Sequence, residues 1–370
     1  MSDTGGGHRT AAEAVEAALH RRYPNQFETR FVDVFREYMP FPFSHAPEIY
    51  RWWIRMSPWS YGLLFFKLPD LTVRVPPFSG PLPARVGAPV LRQLAADQSP
   101  DVLVVLHGVL AGLLQPARRQ LDLDIPLVSV VLDVGRPHRA WFLPGADRYL
   151  LSDERAVGEA QRAGLPGERL RLIGRPVHPK FAELTVPREE ARRRLGWHPD
   201  LPAALILGGG DGVGGLGRVA RAIDRSRLAV QLAVVCGRNQ GLRRRLERFS
   251  WRGPVFVYGF VNHLELLMRA ADVLVGKSGP TTAFEAATLG LPMIIYRPIP
   301  FQETPTAELL VEAGAGAWAR RPGQVIETLA GWLGAGGEEW RRRARAARGL
   351  ARPGAAFAVA DEIAALAGAA

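Results

Sequence analysis

At 370 residues, 47% of them hydrophobic, the chain is long enough for two domains that each bury a core. No uninterrupted apolar run approaches the ~20 residues that span a bilayer, no basic segment leads into an apolar stretch at the N-terminus, and Cys236 is the lone cysteine, which argues against a transmembrane protein, a secretory signal or a disulfide framework and for a cytoplasmic location. The net charge of +11 favours an anionic partner, but all but three of the 47 basic residues are arginine, they are dispersed, and no nucleic-acid-reading signature accompanies them; coding bias is the expected source, and nucleic acid is not an expected partner.

The chain opens on Ser2-Asp3-Thr4-Gly5-Gly6-Gly7-His8, a glycine loop feeding an Ala/Glu helix that stops before Pro24. Nothing ahead of the loop reads as the strand that a βα unit needs, so the expectation is a start upstream of Met1 or a sheet one strand short. In Glu48 to Lys67, Trp52, Trp53 and Trp59 are interleaved with Arg51, Arg55 and Lys67. Amphipathic rings and cations are both stabilised in a lipid headgroup layer. The segment therefore predicts peripheral contact with an anionic membrane surface through Trp52, Trp53, Arg55 and Trp59; the alternative is a helix packing its rings into a domain core.

Strand-then-helix units follow in two series, the pattern of parallel sheets covered on both faces. The first has strands over Asp101–Leu106, Pro126–Leu132, Asp147–Leu151 and Leu170–Gly174; the second over Ala203–Leu207, Gln231–Val235, Pro254–Tyr258, Asp272–Val275 and Pro292–Tyr296. The predicted fold is α/β, with two doubly wound, Rossmann-like domains facing a central cleft at the carboxyl ends of their strands. Gly174-Arg175-Pro176-Val177-His178-Pro179 reads as the linker, giving domains over 1–175 and 180–345. The Ala/Arg-rich tail reads as helix interrupted at Pro353, with 346–370 returning to pack on the first domain.

Chemistry concentrates in Gly276-Lys277-Ser278-Gly279-Pro280-Thr281-Thr282-Ala283-Phe284-Glu285, which reads as strand end, tight turn and helix start. Unpaired amides at such a helix N-terminus favour an anion, which makes a seat for a diphosphate. Thr281 and Glu285 share a helix face, and a carboxylate one turn in can accept two hydrogen bonds from a ribose. An ordinary capped helix is the competing reading of this spacing. Gly212-Val213-Gly214-Gly215-Leu216-Gly217 satisfies a dinucleotide fingerprint, yet the acidic residue expected at the end of the next strand is missing and Cys236-Gly237-Arg238 stands there. Asp122-Leu123-Asp124 precedes a strand, at the wrong end for a metal ligand, and reads as a solvated turn; Cys236 reads as core filler. For a general base, His8 follows the glycine loop, while Asp133 and His138 follow a strand. His8 either takes a proton or donates to a neighbouring carbonyl and positions the acceptor, and Asp133 either is the base or orients His8. His107 also ends a strand, with no motif to set it above a core histidine.

Together the pieces Ser2 to Arg9, Asp133 through His138 to Trp141-Phe142, Gly208-Gly209-Gly210-Asp211-Gly212, Val235 to Asn239, Tyr258 to Val261, Lys277 to Glu285 and Gln302-Glu303 resemble, in order, the monogalactosyldiacylglycerol synthase and processive diacylglycerol glucosyltransferase family. That family is related to the peptidoglycan N-acetylglucosaminyltransferase and has the GT-B fold. The resemblance implies an inverting hexosyltransferase that uses UDP-glucose or UDP-galactose and a diacylglycerol-type acceptor, with no metal or other cofactor, at the cytoplasmic face of a membrane. It implies that Gly259, Phe260 and Val261 lie along the uracil, Glu285 holds the ribose, Gly279, Pro280, Thr281 and Thr282 hold the diphosphate, Gln302 and Glu303 bond the hexose, and Gly237 and Ser278 also belong to the donor-binding set. Gly5, Gly6 and Gly7 would form the acceptor-side loop, with catalysis by His8, Asp133 or His138. The chain departs from the family pattern at Thr281, where a glycine is usual, and at Thr306, where an asparagine is usual. Two alternatives share the fold: a UDP-N-acetylhexosamine epimerase, and a UDP-sugar-binding protein without turnover.

Overall fold

The computed structural model describes residues 6–64 and 82–368, without the side chains of Arg51, Arg55 and Ala335. Gly5, the Arg55 side chain and Lys67, each given a role above, lie outside that description. By its contacts the chain divides into two compact units, Met1–Pro179 with Pro300–Gln302 and Arg352–Ala370, and Lys180–Ile299 with Glu303–Ala351.

In the first unit the strands β1 (Leu103–Val105), β2 (Leu127–Val130), β3 (Arg148–Leu151) and β4 (Leu170–Leu172) form a parallel sheet in the order β1-β2-β3-β4. The Leu-Val-Ser-Val of β2 is buried throughout, as a central parallel strand covered on both faces must be. Around the sheet lie α1 (Gly7–Arg22), α2 (Val34–Tyr38), α3 (Ala46–Met56), α4 (Pro58–Gly62), α5 (Leu82–Gln98), α6 (Gly108–Leu121) and α7 (Glu154–Arg162).

The second unit adds α8 (Pro179–Ala182), whose first residue belongs to the first unit, and α9 (Arg188–Leu195). A six-stranded parallel sheet follows, built from β5 (Ala203–Leu207), β6 (Gln231–Val235), β7 (Val255–Tyr258), β8 (Val273–Gly276), β9 (Met293–Tyr296) and β10 (Gly316–Ala319), in the order β10-β9-β8-β5-β6-β7. Its helices are α10 (Leu216–Arg225), α11 (Gln240–Glu247), α12 (Leu264–Ala270), α13 (Pro280–Thr288), α14 (Thr304–Glu312), α15 (Pro322–Leu333) and α16 (Glu338–Leu350). The chain then breaks over 351–354, around Pro353, and α17 (Ala355–Leu366) lies against α1 in the first unit. Ala11, Ala14 and Ala18 of α1 and Ala356, Val359 and Ala360 of α17 join one core, where small side chains let the helices approach closely.

Strand order reverses where β5 meets β8. Right-handed crossovers carry the chain from β5 through α10 to β6 in one direction and from β8 through α13 to β9 in the other, so α10 and α13 leave on opposite faces and the strand ends frame a crevice. Backbones meet closely there: a Cβ on Gly276 would stand 2.2 Å from the Leu207 carbonyl oxygen. The strand expected at each of nine positions is present. β10 was not among them, because Gly-Ala-Trp-Ala between Gly314 and Arg320 carries no β-branched residue and no alternation.

The back of this sheet is pinned by a buried charge cluster. Asp272 Oδ2 accepts from Arg192 Nη2 at 2.5 Å and from the Ala203 amide at 2.7 Å, and Oδ1 faces Arg188 Nη1 at 3.1 Å. Helix α9, Arg-Glu-Glu-Ala-Arg-Arg-Arg-Leu, has little apolar surface of its own, so these bonds hold it to the sheet. Asp272→Ala leaves two guanidinium groups without their carboxylate and is expected to cost about 3–5 kcal/mol of stability. Urea unfolding measures it; a loss below ~1 kcal/mol contradicts the assignment.

Candidate functional site

Within the second unit, the crevice between β5 and β8 is lined by the turn that dominates the sequence. Helix α13 begins at Pro280 with Gly279 as N-cap and no side-chain cap. Proline at the first helical position gives up only an amide that has no intrahelical partner. The Thr281 and Thr282 amides therefore stand at the positive end of the helix dipole. Glu285, one turn in, is 5% exposed. Lys277 at the end of β8 places Nζ 2.6 Å from Glu303 Oε1, while Glu303 Oε2 accepts from the Ile299 amide at 2.8 Å and the Glu303 carbonyl accepts from Ser278 Oγ at 3.0 Å. Glu303 thus braces the turn from inside and orients Lys277, and Ser278 directs its hydroxyl into the protein.

Loops from neighbouring strands close on this turn. A Cβ on Gly209 would lie 3.2 Å from Lys277 Cε, and Gly237, at φ +57°, brings its Cα so near the Gly210 carbonyl that a Cβ would stand 2.3 Å from the oxygen. Only glycine fits there. Beyond β7, Phe260 is 55% exposed and Arg238 Cζ lies 4.8 Å from its ring centroid, a flat platform beside Val261. Thr306 is buried in α14. Gln302 differs from expectation: its contacts place it with the first unit, where its amide and the Tyr50 hydroxyl exchange hydrogen bonds at 3.2 and 3.3 Å. Gly212, Gly215 and Gly217 of the fingerprint segment line a cavity of about 270 Å³ with Arg218, Arg221 and Arg245, and no carboxylate lines it to hold a ribose. Cys236 is buried, which pushes its thiol up to about 11.

In the first unit, His8 in the first turn of α1 is brought to the carboxyl ends of β1 and β2. Its Nδ1 lies 2.6 Å from the Leu106 carbonyl. A carbonyl only accepts, so Nδ1 carries the proton and Nε2 is left with a free lone pair. Burial lowers His8 to about 4 against the opposing pull of Asp133. Asp133 Oδ2 accepts from Trp141 Nε1 at 2.8 Å and from the His138 amide at 3.3 Å. His138 is also lowered by burial, with Asp133 opposing. Its Nδ1 accepts from the Ala140 amide at 3.1 Å, so neutral His138 keeps its proton on Nε2. The two histidines hold opposite tautomers, His8 protonated on Nδ1 and His138 on Nε2. His107 joins them, its ring centroid 4.5 Å from that of His8 and 5.5 Å from that of Phe35. Burial holds it well below its ordinary value, with His8 and His138 adding to the effect.

The aromatic segment divides by face. Ile49, Trp52 and Met56, spaced three and four apart on α3, are exposed, as are Trp59, Phe41, Phe43 and Leu64. Trp53 turns the other way: its Nε1 donates to Ser60 Oγ at 2.9 Å and its ring edge meets Tyr61. It packs between α3 and α4, and Ile49 and Met56 are exposed instead. Among the described residues no helix is long and apolar enough to cross a membrane.

Two parallel-sheet α/β units, one with a helix that starts without a side-chain cap at its switch point, have the GT-B glycosyltransferase fold. MurG of Acinetobacter baumannii shares the fold at TM-score 0.56 and 19% identity, over 76% of this chain and 78% of that one; UDP-GlcNAc 2-epimerase of Neisseria meningitidis does so at 0.61 and 13%, over 96% of both. The profile described as glycosyltransferase family 28 C-terminal domain matches residues 204–320, and that for monogalactosyldiacylglycerol (MGDG) synthase matches 8–177. A probable monogalactosyldiacylglycerol synthase of Glycine max is 31% identical over 98% of this chain and 70% of its own length, and that of Spinacia oleracea 31% over 98% and 71%. The chain belongs to the monogalactosyldiacylglycerol synthase family.

Two residues of these clusters, His107 and Lys277, are named in the sequence reading without a site role. Lys277 had a signal: in a chain whose basic residues are otherwise almost all arginine, a lysine at a strand end is conspicuous. His107 had none beyond its place at the end of β1.

Three histidines kept neutral by burial make stability acid-sensitive. Their folded pKa values lie below the free value, so the unfolded chain binds more protons as pH falls; stability is complete above ~6.5 and declines toward ~4. Urea midpoints are expected to drop between pH ~7 and pH ~5, and to drop less in His107→Phe. Equal midpoints at both pH values contradict this.

Proposed function

We propose that this chain transfers a hexose, glucose or galactose, from a UDP-sugar to diacylglycerol or a related lipid at the cytoplasmic surface of a membrane, with inversion at the anomeric carbon. The observation that carries the reading is the turn after β8, with a helix start that has no side-chain cap, a lysine and a buried carboxylate one turn in, on a chain whose relatives are named for monogalactosyldiacylglycerol synthesis. The Thr281 and Thr282 amides and Lys277 take the diphosphate, Gly279 and Pro280 shape the turn, and Glu285 takes the ribose hydroxyls. Gly237, Phe260 and Val261 border the uracil. Gln302 meets the hexose, and Glu303 acts on it through Lys277.

In the first unit His8 Nε2 removes the acceptor proton, with Asp133 opposing desolvation of the imidazole. The acceptor oxygen then bonds to the anomeric carbon as the bond to the diphosphate oxygen breaks, and the electron pair leaves on UDP, where positive groups receive it. His138, protonated on Nε2, stands beside Asp133 as the second imidazole of the site. No resident metal or cofactor is required. Gly6 and Gly7 leave the approach to His8 open. Trp52 and Trp59, with Ile49 and Met56, enter the headgroup layer.

Incubation with labelled UDP-galactose or UDP-glucose and diacylglycerol vesicles is expected to give a β-linked lipid product. UDP-sugar interconversion instead indicates the epimerase, and binding without product a protein that has lost turnover. His8→Ala is expected to lower kcat about 10²–10⁴-fold, and Glu285→Ala to weaken UDP-sugar binding about 10–100-fold through lost charged hydrogen bonds. Paired Trp52→Glu and Trp59→Glu substitutions are expected to release the protein from sedimenting anionic vesicles; undiminished sedimentation contradicts the membrane face.

A further inference from the structure

We propose that His107 is a positioning residue for proton transfer, holding the His8 ring in the orientation and tautomer that offer Nε2 to the acceptor hydroxyl. This rests on the assignment of His8 as the base.

The end of β1 supplies two different constraints from adjacent residues. The Leu106 carbonyl takes the Nδ1 proton at 2.6 Å, which fixes rotation within the ring plane. The His107 ring, 4.5 Å away and tilted by 47°, fixes the plane itself. Phe35, meeting His107 edge-on at 5.5 Å, backs the wedge. The same strand end reaches the carboxylate side of the cluster, because a Cβ on Gly108 would stand 2.8 Å from Trp141 Nε1, the group that donates to Asp133. The segment 106–108 therefore touches both the base and the partner of its nearest carboxylate.

Ring packing also adds to the burial that lowers His8. The charged and titratable groups acting on the pair are Asp133, which favours a cation on His8, and Arg175 and His138, which disfavour one on His8 and on His107 respectively. None depends on the charge of His107, which burial holds neutral. Its contribution is shape, and a phenyl ring supplies the same shape.

Comparing His107→Ala with His107→Phe tests this. His107→Phe is expected to keep kcat within about threefold and leave the acidic limb of the kcat–pH profile in place. His107→Ala is expected to lower kcat at least about tenfold by freeing the ring, with KM for the UDP-sugar unchanged. Its acidic limb should move up from about 4 toward the free value as water reaches His8. Nitrogen-15 NMR of the full chain without nucleotide gives a readout independent of turnover: one Nδ1–H tautomer of His8 in the wild type and His107→Phe, mixed tautomers in His107→Ala. Unchanged kcat and tautomer in His107→Ala overturn the proposal. So does a His107→Phe protein as impaired as His107→Ala with its His8 tautomer intact, because imidazole chemistry rather than position is then needed. Full transfer by His8→Ala overturns the base assignment, and the proposal with it, while the tautomer measurement still reports whether His107 holds the ring.

Discussion

The reversal of strand order between β5 and β8 is the constraint on which the reading of this protein depends. Two neighbouring parallel strands whose helices depart to opposite faces leave their carboxyl ends uncovered, and whatever the loops carry there faces solvent or a ligand. The loops carry backbone. Gly276 permits β8 to close on Leu207, Gly237 permits the β6 loop to close on Gly210, and α13 starts without a side-chain cap. Lys277, the fixed positive charge at this point, is held by a buried carboxylate with its own second hydrogen bond, so its position is determined before any ligand arrives. An anion entering such a site meets groups that need little reorganisation.

The first unit works by a different principle. Three imidazoles and one carboxylate are gathered at the ends of β1 and β2 and at the start of α1, and desolvation outweighs the carboxylate in setting their protonation. Neutral imidazoles can differ in tautomer, and here a carbonyl opposite His8 and an amide opposite His138 select opposite ones. That distinction separates a proton acceptor from a proton donor among residues that the sequence presents as equivalents.

Much of this was legible because parallel α/β architecture writes itself in short apolar runs bounded by Gly and Pro. Nine strands, the break around Pro353 and the β8–α13 turn followed from that pattern. What escaped has physical reasons. β10 is an edge strand of Gly, Ala and one Trp whose pairing is supplied by β9 rather than by propensity. The orientation of Trp53 depends on whether an indole N–H finds Ser60, seven residues away on the next helix. The inward role of Glu303 depends on the chain folding back to present Ile299 and Lys277 to its two oxygens, a tertiary fact with no local trace. His107 acquires meaning only beside His8, which is 99 residues earlier in the chain and belongs to another element.

The crevice and the turn after β8 are the part of the account from which the rest follows, and a structure of the full chain crystallised with UDP tests them most directly. The account predicts the diphosphate within hydrogen-bond reach of the Thr281 and Thr282 amides and Lys277 Nζ, with the ribose hydroxyls on Glu285. Uridine bound elsewhere, or a diphosphate seated away from the start of α13, would contradict it.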